Sequence, residues 1–385
     1  MKIVSLFQLI TAGLGFTSRP AVDRSQLNQH SAAASAWIQR AYQTSGDGGI
    51  SKGFDLLRYR WALSYPETTG YTIPTLLNAA RVLELPELKT MAVSLAEYLL
   101  EKSTLDGGVV HWKTGLNAPP IVFDTGQVMF GWLAAYRASQ DECFLQAAAR
   151  SGDWLTAIQD PTGCWKTNQH LNVVKVIDTR VAWVLLELYQ ITGNETHRQT
   201  AIRNLDWASQ QQDETGWFDK CSFLVGRDPF THTLAYTAEG LFECGVLLGD
   251  KRYIASARKM AEAALARQRP DGSLAGTYAP GWQRPSHWSC LTGNCQMAIL
   301  WLRFYETTNE KKFYEAAQKA ILFVARTQDL RTKNPNLRGA IAGSQPFYGS
   351  YERFKYPNWA AKFFIDSILK LEAIDRGEKN ISYIG

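Results

Sequence analysis

Six similar segments recur along the chain, and this repeat limits the possible folds more than any other feature. Each segment is a helical apolar pattern that ends in a turn around glycine, often with Gln or Ser near the helix end. The turn glycines are Gly48, Gly107, Gly163, Gly216, Gly272 and Gly339. They recur about every 55 residues, and a period of this size is the sequence signature of a repeat architecture.

A second helical pattern follows each glycine turn, as in FDTGQVMFGWLAAYRA. These second patterns are apolar around most of their circumference, as in a helix that is buried on most sides. We therefore expect them to form six inner helices, with the first patterns as six outer helices. Six such pairs predict an all-α fold, a closed (α/α)6 toroid. An open helical solenoid is the alternative.

The composition favours one large domain over two. The chain has 385 residues, 45% of them hydrophobic and 20% charged, which excludes a disordered chain. No break in composition divides it, and the Pro/Gly-rich stretches fall between repeats. We expect an N-terminal extension over 1–30, the toroid over 31–377 and a C-terminal tail over 378–385.

Charge and cysteine content limit the possible partners and the cellular compartment of the protein. The net charge of +5 is small for this length and no Lys/Arg run reaches four residues, so we expect no nucleic-acid partner. No window offers the roughly 20 apolar residues of a membrane span. Six scattered cysteines suggest a reduced, cytoplasmic protein. Export is less favoured, because Gln8 interrupts the apolar start and no A-x-A site follows.

The candidate site lies where the inner helices begin. All six run in the same direction, so their N-termini gather at one end of the ring. One polar residue per repeat falls near these starts, with a period that matches that of the glycines: Glu67, Asp124, Asp178, Glu239, Asn294 and Asn358. Four carboxylates and two amides can supply a general acid, a general base and hydroxyl-binding groups. The alternative is helix capping, since Asp124 and Gln127 have the form of a capping box.

Aromatic and basic residues near the same rim complete the predicted site. Aromatic faces stack on sugar rings and on isoprenoid chains, and His can transfer protons. Arg binds carboxylates through two parallel hydrogen bonds, which would suit a carboxylated sugar; the basic residues can equally neutralise the four acids. The predicted substrate-binding residues are Tyr65, Arg180, His232, His287, Trp288, Asn294, Tyr356, Asn358 and Lys362.

We expect no metal and no cofactor. Asp219, Cys221 and His287 follow the ligand order of protein prenyltransferase β subunits, but Asp219 comes directly after an outer-helix turn instead of lying on an inner helix. Cys290 and Cys295 are five residues apart and would point in different directions on a helix. Neither D-x-D-D nor D-D-x-x-D occurs, which disfavours isoprenoid cyclisation.

The repeat resembles the Q-x-x-x-x-G-x-W repeats of terpene cyclases and the helix pairs of six-hairpin carbohydrate enzymes, which implies the toroid fold. The segments FDTGQ and IDTRVAWVLLELYQITGN are similar to those that carry the two active-site aspartates of unsaturated glucuronyl hydrolases. That resemblance implies that Asp178 is the general acid/base and Asp124 its partner.

Three further segments resemble VpsJ-like proteins encoded in bacterial exopolysaccharide clusters. They are YPETTGYTIPTLL, SHWSCLTGNCQMAI and GSYERFKYPNWAAKFFIDSILKLE. The resemblance implies a role in surface-polysaccharide biosynthesis, with other proteins of that pathway as partners.

These observations together predict an enzyme that acts on an oligo- or polysaccharide, including a uronate-containing one. Asp178 and Asp124 would transfer protons, assisted by Glu67 and Glu239. Hydrolysis, elimination and C5 epimerisation stay open, because all three use paired proton-transfer groups. A non-catalytic glycan-binding scaffold and an isoprenoid-handling toroid are the alternatives.

Overall fold

The computed structural model describes residues 21–111 and 119–378. Within these ranges the chain forms twelve α-helices. In chain order they are α1 (Leu27–Ser45), α2 (Pro66–Val82), α3 (Pro86–Leu100), α4 (Val122–Ser139), α5 (Glu142–Ala157), α6 (Thr179–Thr192), α7 (Glu195–Ser209), α8 (Thr231–Leu248), α9 (Lys251–Leu265), α10 (Leu291–Thr308), α11 (Lys311–Thr327) and α12 (Asn358–Asp375).

The even-numbered helices form an inner ring and the odd-numbered helices an outer ring, as the sequence predicts. Each inner helix packs on the next inner helix, and α12 packs on α2, so the ring closes. The inner helix α4 is buried on all sides from Val122 to Ala135, whereas the outer helix α9 buries one face only. Closure excludes the open solenoid and confirms the predicted (α/α)6 toroid.

The repeated Gln and Gly join each outer helix to the next. Gln159 Nε2 donates to the carbonyl of Gly163 at 2.9 Å and to that of Thr200, on the following outer helix, at 2.9 Å. Gly163 has φ +95°, and a Cβ there would lie 2.2 Å from the carbonyl oxygen of Arg203. Only glycine permits this approach. The motif therefore sets the spacing of the ring.

The last copy of the motif closes the ring onto the first helix. Gln328 Nε2 donates to the carbonyls of Gly339 at 2.7 Å and His30 at 3.2 Å, and His30 Nδ1 meets Gln328 Oε1 at 2.6 Å. Helix α1, which packs against α12, begins at Leu27, within the predicted N-terminal extension. Residues 1–20 and 379–385 of the predicted extension and tail lie outside the described residues.

Five short strands occur in the described loops, and an all-α prediction leaves them out. They are β1 (Gly53–Asp55), β2 (Arg60–Trp61), β3 (Ser289–Cys290), β4 (Ser344–Gln345) and β5 (Lys355–Pro357). Strands β2, β1 and β5 form an antiparallel sheet in that order, and β3 pairs with β4. The first sheet joins the loop before α2 to the loop before α12, at the end of the ring where the inner helices begin.

None of the helices in the described ranges has the length and apolar character needed to cross a membrane. The six cysteines, all of which lie in these ranges, form no disulfide, and five of them are buried.

Candidate active site

A cavity of about 460 Å³ opens at the end of the ring where the inner helices begin. Residues from the first turns of four inner helices reach it, namely Glu67 of α2, Asp124 of α4, His232 of α8 and Trp359 of α12. The segments that precede the inner helices supply the rest of the wall.

Two carboxyl groups meet on the wall of this cavity. Glu67 and Asp124 are in hydrogen-bond contact, and Tyr65 hydrogen-bonds to Glu67. Burial, and then the negative charge of Asp124, raise the pKa of Glu67 to about 8. Glu67 is therefore protonated at neutral pH and can donate its hydrogen to Asp124. Two carboxyls in contact share one proton in this way because both cannot easily be ionised together.

His111 holds the second carboxyl of the pair. Its Nδ1 lies 2.9 Å from Oδ2 of Asp124. Asp124 is only 1% exposed. Asp124 is the third residue of α4, and the N-cap of that helix is Ile121. The capping alternative is therefore wrong for Asp124. Its carboxylate contacts other side chains of the cavity.

Two further histidines line the cavity and are neutral. Burial lowers the pKa of both His170 and His232 to about 4. His232 Nδ1 lies 2.6 Å from Oε1 of Gln296. Because that oxygen accepts, Nδ1 carries the hydrogen and the lone pair is on Nε2. The His170 ring packs on the His111 ring at a centroid distance of 5.0 Å.

Aromatic side chains form most of the remaining wall. They include Tyr65, Tyr71, Phe123, Phe223, Phe230, Tyr236, Tyr351 and Trp359. Trp359 Nε1 donates to the Tyr351 hydroxyl at 2.8 Å, which fixes both rings. A concave aromatic wall with a few convergent polar groups is typical of small-molecule sites.

An ion pair stands at the rim. Lys52 Nζ lies 3.2 Å from Oε1 of Glu352, and both residues line the cavity. The ammonium group also lies over the rings of Tyr65 and Trp359, at 5.8 and 5.4 Å from their centroids. Lys52 comes from the loop before α2 and Glu352 from the loop before α12, so the pair spans the closure of the ring.

Asp178 lies behind the wall, and the cavity-lining residues do not include it. Gln169 Nε2 donates to its Oδ2 at 2.8 Å, and its Oδ1 has no hydrogen-bond partner among the described residues. Burial raises the pKa of Asp178 to about 7. The cavity-lining Lys175 and Ile177 are its near neighbours in sequence.

Glu239 and Arg180 form an ion pair in the interior of the ring, and neither residue lines the cavity. Arg180 Nη1 donates to Oε2 of Glu239, and Arg180 Nε donates to Oε1 of Gln127 at 3.0 Å. Glu239 is the ninth residue of α8, about 12 Å along the axis from the helix start. The expectation that Glu239 marks this start is wrong, and His232 occupies the first turn instead.

The other predicted binding residues lie outside the cavity, and three of them form ion pairs or hydrogen bonds that stabilise the fold. Lys362 is fully buried and pairs with Asp366 at 2.9 Å. Asn294 accepts from Leu274 N at 2.9 Å and donates to Cys290 O at 2.7 Å. Asn358 donates to Ser51 O at 3.0 Å and to Thr68 Oγ1 at 2.9 Å. These three predicted side chains do not line the cavity.

Three predicted aromatic and histidine residues also lie outside the cavity. Trp288 packs on Phe230 at a centroid distance of 6.1 Å and thus supports the wall from behind. Tyr356 belongs to β5 and lines a neighbouring cavity. His287 is exposed. Of the nine predicted binding residues, Tyr65 and His232 line the candidate site.

The sequence does not predict several residues of the site. His111 follows a glycine turn, and Lys52, Lys175 and Glu352 lie in loops that show no periodic pattern. The histidine in GGVVHW, His111, can be recognised as a site residue only when the structure shows that its loop lies beside Asp124. No group of three or more His, Cys, Asp or Glu side chains in the described parts of the chain is arranged to hold a metal ion.

No protein-family profile and no curated protein matches the chain. Solved structures do match. An unsaturated glucuronyl hydrolase specific for heparin superposes with a TM-score of 0.72 at 14% identity, covering 92% of this chain and 99% of that one. An unsaturated glucuronyl hydrolase from Bacillus sp. GL1, responsible for degradation of glycosaminoglycan, gives 0.71 at 17% identity, covering 91% and 97%.

A cellobiose 2-epimerase from Bacillus thermoamylovorans B4167 gives a TM-score of 0.70 at 14% identity, covering 90% of this chain and 98% of that one. The matches extend over nearly the whole of each chain. At such low identity the likeness concerns architecture, and by that measure the chain belongs to the (α/α)6 toroids.

Proposed function

We propose that the chain is a carbohydrate-active enzyme that transfers protons on an oligosaccharide, with Glu67 as the general acid. The observation that carries this proposal is the contact between the Glu67 and Asp124 carboxyls on the wall of an aromatic cavity. The structural neighbours, which are named as glucuronyl hydrolases and an epimerase, support a carbohydrate substrate.

A buried pair of carboxyl groups favours catalysis over stability. No arginine in the described ranges forms a salt bridge with Glu67, and the negative charge of Asp124 makes its ionisation harder. Such an arrangement costs folding free energy, and strongly shifted groups cluster at functional sites. A scaffold whose acids are all caps or arginine partners would lack this pair. An isoprenoid-handling toroid would have an apolar cavity without it.

In the proposed mechanism, Glu67 gives its proton to the substrate, and the repulsion between the carboxylate that remains and Asp124 then favours the return of a proton to the pair. His111 keeps Asp124 oriented through the 2.9 Å contact. A neutral histidine acts as the base, and His232 is the better placed because its Nδ1 bond to Gln296 leaves Nε2 with a lone pair. The aromatic wall excludes water and holds the sugar.

The spacing of the carboxyls favours some reactions over others. A retaining glycosidase holds its two carboxyls about 5 Å apart and an inverting one about 6.5–9.5 Å, with the sugar between them. Carboxyls in hydrogen-bond contact leave no such space. An acid paired with a neutral histidine instead suits proton transfer at carbon, as in epimerisation or elimination.

Hydrolysis with Asp178 as the acid is the second candidate. It has two supports: the resemblance of IDTRVAWVLLELYQITGN to unsaturated glucuronyl hydrolases, and the unpartnered Oδ1 of Asp178 with a pKa raised to about 7. In this case Lys175 and Gln169 would have to uncover the carboxyl.

The pathway and the compartment are part of the proposal. The three segments similar to VpsJ-like proteins support surface-polysaccharide biosynthesis, with an oligo- or polysaccharide as substrate and other proteins of that pathway as partners. The six unpaired cysteines are consistent with a reducing cytoplasm.

The experiment is incubation with bacterial oligosaccharides in D2O, followed by mass spectrometry and NMR. Epimerisation places deuterium on a sugar carbon, elimination creates a carbon–carbon double bond, and hydrolysis adds the mass of water. We expect deuterium incorporation or a new double bond with the wild type and neither with Glu67→Gln. Glu214→Gln, at a fully exposed glutamate, is the control.

Asp178→Asn separates the two candidates. We expect it to act like the wild type, because its amide oxygen can still accept from Gln169. Loss of activity in Asp178→Asn with full activity in Glu67→Gln would transfer the acid role to Asp178. An unaltered rate in both variants would contradict both mechanisms.

A further inference from the structure

A second cavity, of about 510 Å³, lies beside the candidate active site. Its wall is the three-stranded sheet of β2, β1 and β5 with the adjoining loops. The two cavities have Lys52 and Glu352 in common, so this ion pair is the partition between them. The second cavity takes no part in the proton transfer proposed above.

The charge of the second cavity is positive. Four basic side chains and two acidic ones line it, and they are Lys52, Arg58, Arg60, Lys355, Asp55 and Glu352. Glu352 is paired with both lysines, at 3.2 Å from Lys52 and 2.8 Å from Lys355. The two lysines with Glu352 carry one of the two surplus positive charges, and the two arginines with Asp55 carry the other.

The arginines are held weakly by their neighbours. Arg58 lies 3.7 Å from Asp55, and its side chain is 70% exposed. Arg60 is exposed and has no salt-bridge partner among the described residues. Asp55 Oδ1 already accepts from the backbone amides of Leu57 and Arg58, both at 2.9 Å. The guanidinium groups are therefore available to an external anion.

The sheet aligns these charges on one face. Asp55 of β1 pairs directly with Arg60 of β2 and with Lys355 of β5. Directly paired residues point to the same face of a sheet, so the three side chains form a row. Trp61 and Tyr356, both half-buried, also border the cavity, but each pairs with Phe54 and so points to the opposite face of the sheet.

We propose that the second cavity is an anion-binding subsite for the carboxylate or sulfate group of a bound oligosaccharide. The proposal rests on the proposed function, since the reacting sugar occupies the first cavity. The chain of sugars crosses the Lys52–Glu352 partition, and its anionic unit lies against Arg58 and Arg60. Guanidinium groups suit this role because they bind carboxylate or sulfate through two hydrogen bonds.

The test measures binding and not turnover. The probes are tetrasaccharides prepared from heparin, hyaluronan and polygalacturonate, their disaccharides, and neutral cellotetraose. Affinities are measured calorimetrically for the wild type and for the double variant Arg58→Gln/Arg60→Gln. Both arginines are exposed, so the variant retains its fold. Arg150→Gln, at an exposed arginine of the outer helix α5, is the matched control.

We expect at least one anionic tetrasaccharide to bind the wild type and the control about tenfold more tightly than the double variant. Its disaccharide, which fills the first cavity only, should bind all three equally, and so should cellotetraose. The difference should shrink with added salt because the charges are exposed.

Equal affinity of the wild type and the double variant for every anionic tetrasaccharide, including no binding to either, would overturn the proposal. An equal loss for disaccharide and tetrasaccharide would also overturn it. Failure of Glu67 as the acid leaves these affinities unchanged, so the two proposals fail separately.

Discussion

Helices α2 and α4 and helices α10 and α12 begin at the same end of the ring but use their first turns differently. In the first pair, the side chains of Glu67 and Asp124 project into the cavity and meet there. In the second pair, the amides of Asn294 and Asn358 bond to the backbone of neighbouring loops. A repeat architecture thus offers equivalent positions at the helix starts. The contacts of each residue decide whether it takes part in the proposed reaction or holds the ring together.

The largest expected effect is a loss of activity when a carboxylate of the first pair of helices is removed. Asp124→Asn removes the carboxylate that shares the Glu67 proton, and we expect the rate to fall by about 10²- to 10⁴-fold. Initial rates and thermal unfolding measure this together, and the folded state should persist. Asp219→Asn, at an exposed aspartate, should match the wild type. An Asp124→Asn enzyme of normal rate would remove Asp124 from the mechanism.

The next effect concerns a buried charge that lies outside the cavity. Glu239→Gln leaves the fully buried Arg180 without its counter-charge, and we expect a loss of about 3 kcal/mol in the free energy of unfolding. Denaturant titration checks this. Glu195→Gln, which removes a surface pair with Arg198, should have a much smaller effect. An unchanged unfolding midpoint in Glu239→Gln would show that Arg180 is satisfied in another way.

A smaller loss is expected at the closing helix. Asn358→Ala removes two hydrogen bonds in the interior, to Ser51 and Thr68, and should reduce stability by about 2 kcal/mol. The rate per folded molecule should change little, since Asn358 does not line the cavity. Asn28→Ala, on the exposed face of α1, is the control. A variant that is fully stable but inactive would place Asn358 with the catalytic residues instead.

The smallest effect is a dependence on pH. Glu67 must be protonated, so kcat/KM should fall tenfold per pH unit above about 8, and protonation of His232 should lower it below about 4. The raised pKa of Glu67 also means that the folded chain binds an extra proton between pH 4.5 and 8. Stability should therefore fall as the pH rises through that window.

Glu67→Gln provides the comparison for the pH dependence of stability. It should flatten the decline in stability between pH 4.5 and 8, which differential scanning calorimetry can follow. A wild-type rate that stays constant up to about pH 10 would contradict a protonated Glu67 as the acid.

The architecture could be predicted because its determinants are local and repeated. Gln159 and Gly163 recur as Gln212 and Gly216 and as Gln268 and Gly272, and each copy makes the same contacts to the next outer helix. A signal repeated at a fixed period is visible without coordinates. The short strands give no such signal, because the larger sheet joins a loop before the first inner helix to a loop before the last.

The site could be predicted only in part. Glu67 and Asp124 follow from their place at the start of a helix. Glu239 is misplaced because α8 begins at Thr231 without a proline or a side-chain cap that marks its start. Asp178 lies at a helix start as expected, yet it is behind Lys175 and Ile177 instead of in the opening. Such differences depend on side-chain packing, which a period cannot encode.

The partition formed by Lys52 and Glu352 has a consequence for synthesis of the protein. Lys52 precedes the first inner helix and Glu352 precedes the last, so the ribosome synthesises the lysine long before the glutamate. Until Glu352 has been synthesised, the cavity that Glu67 and Asp124 line is incomplete. Premature termination anywhere before Glu352 should thus yield an inert product, however many hairpins it has completed.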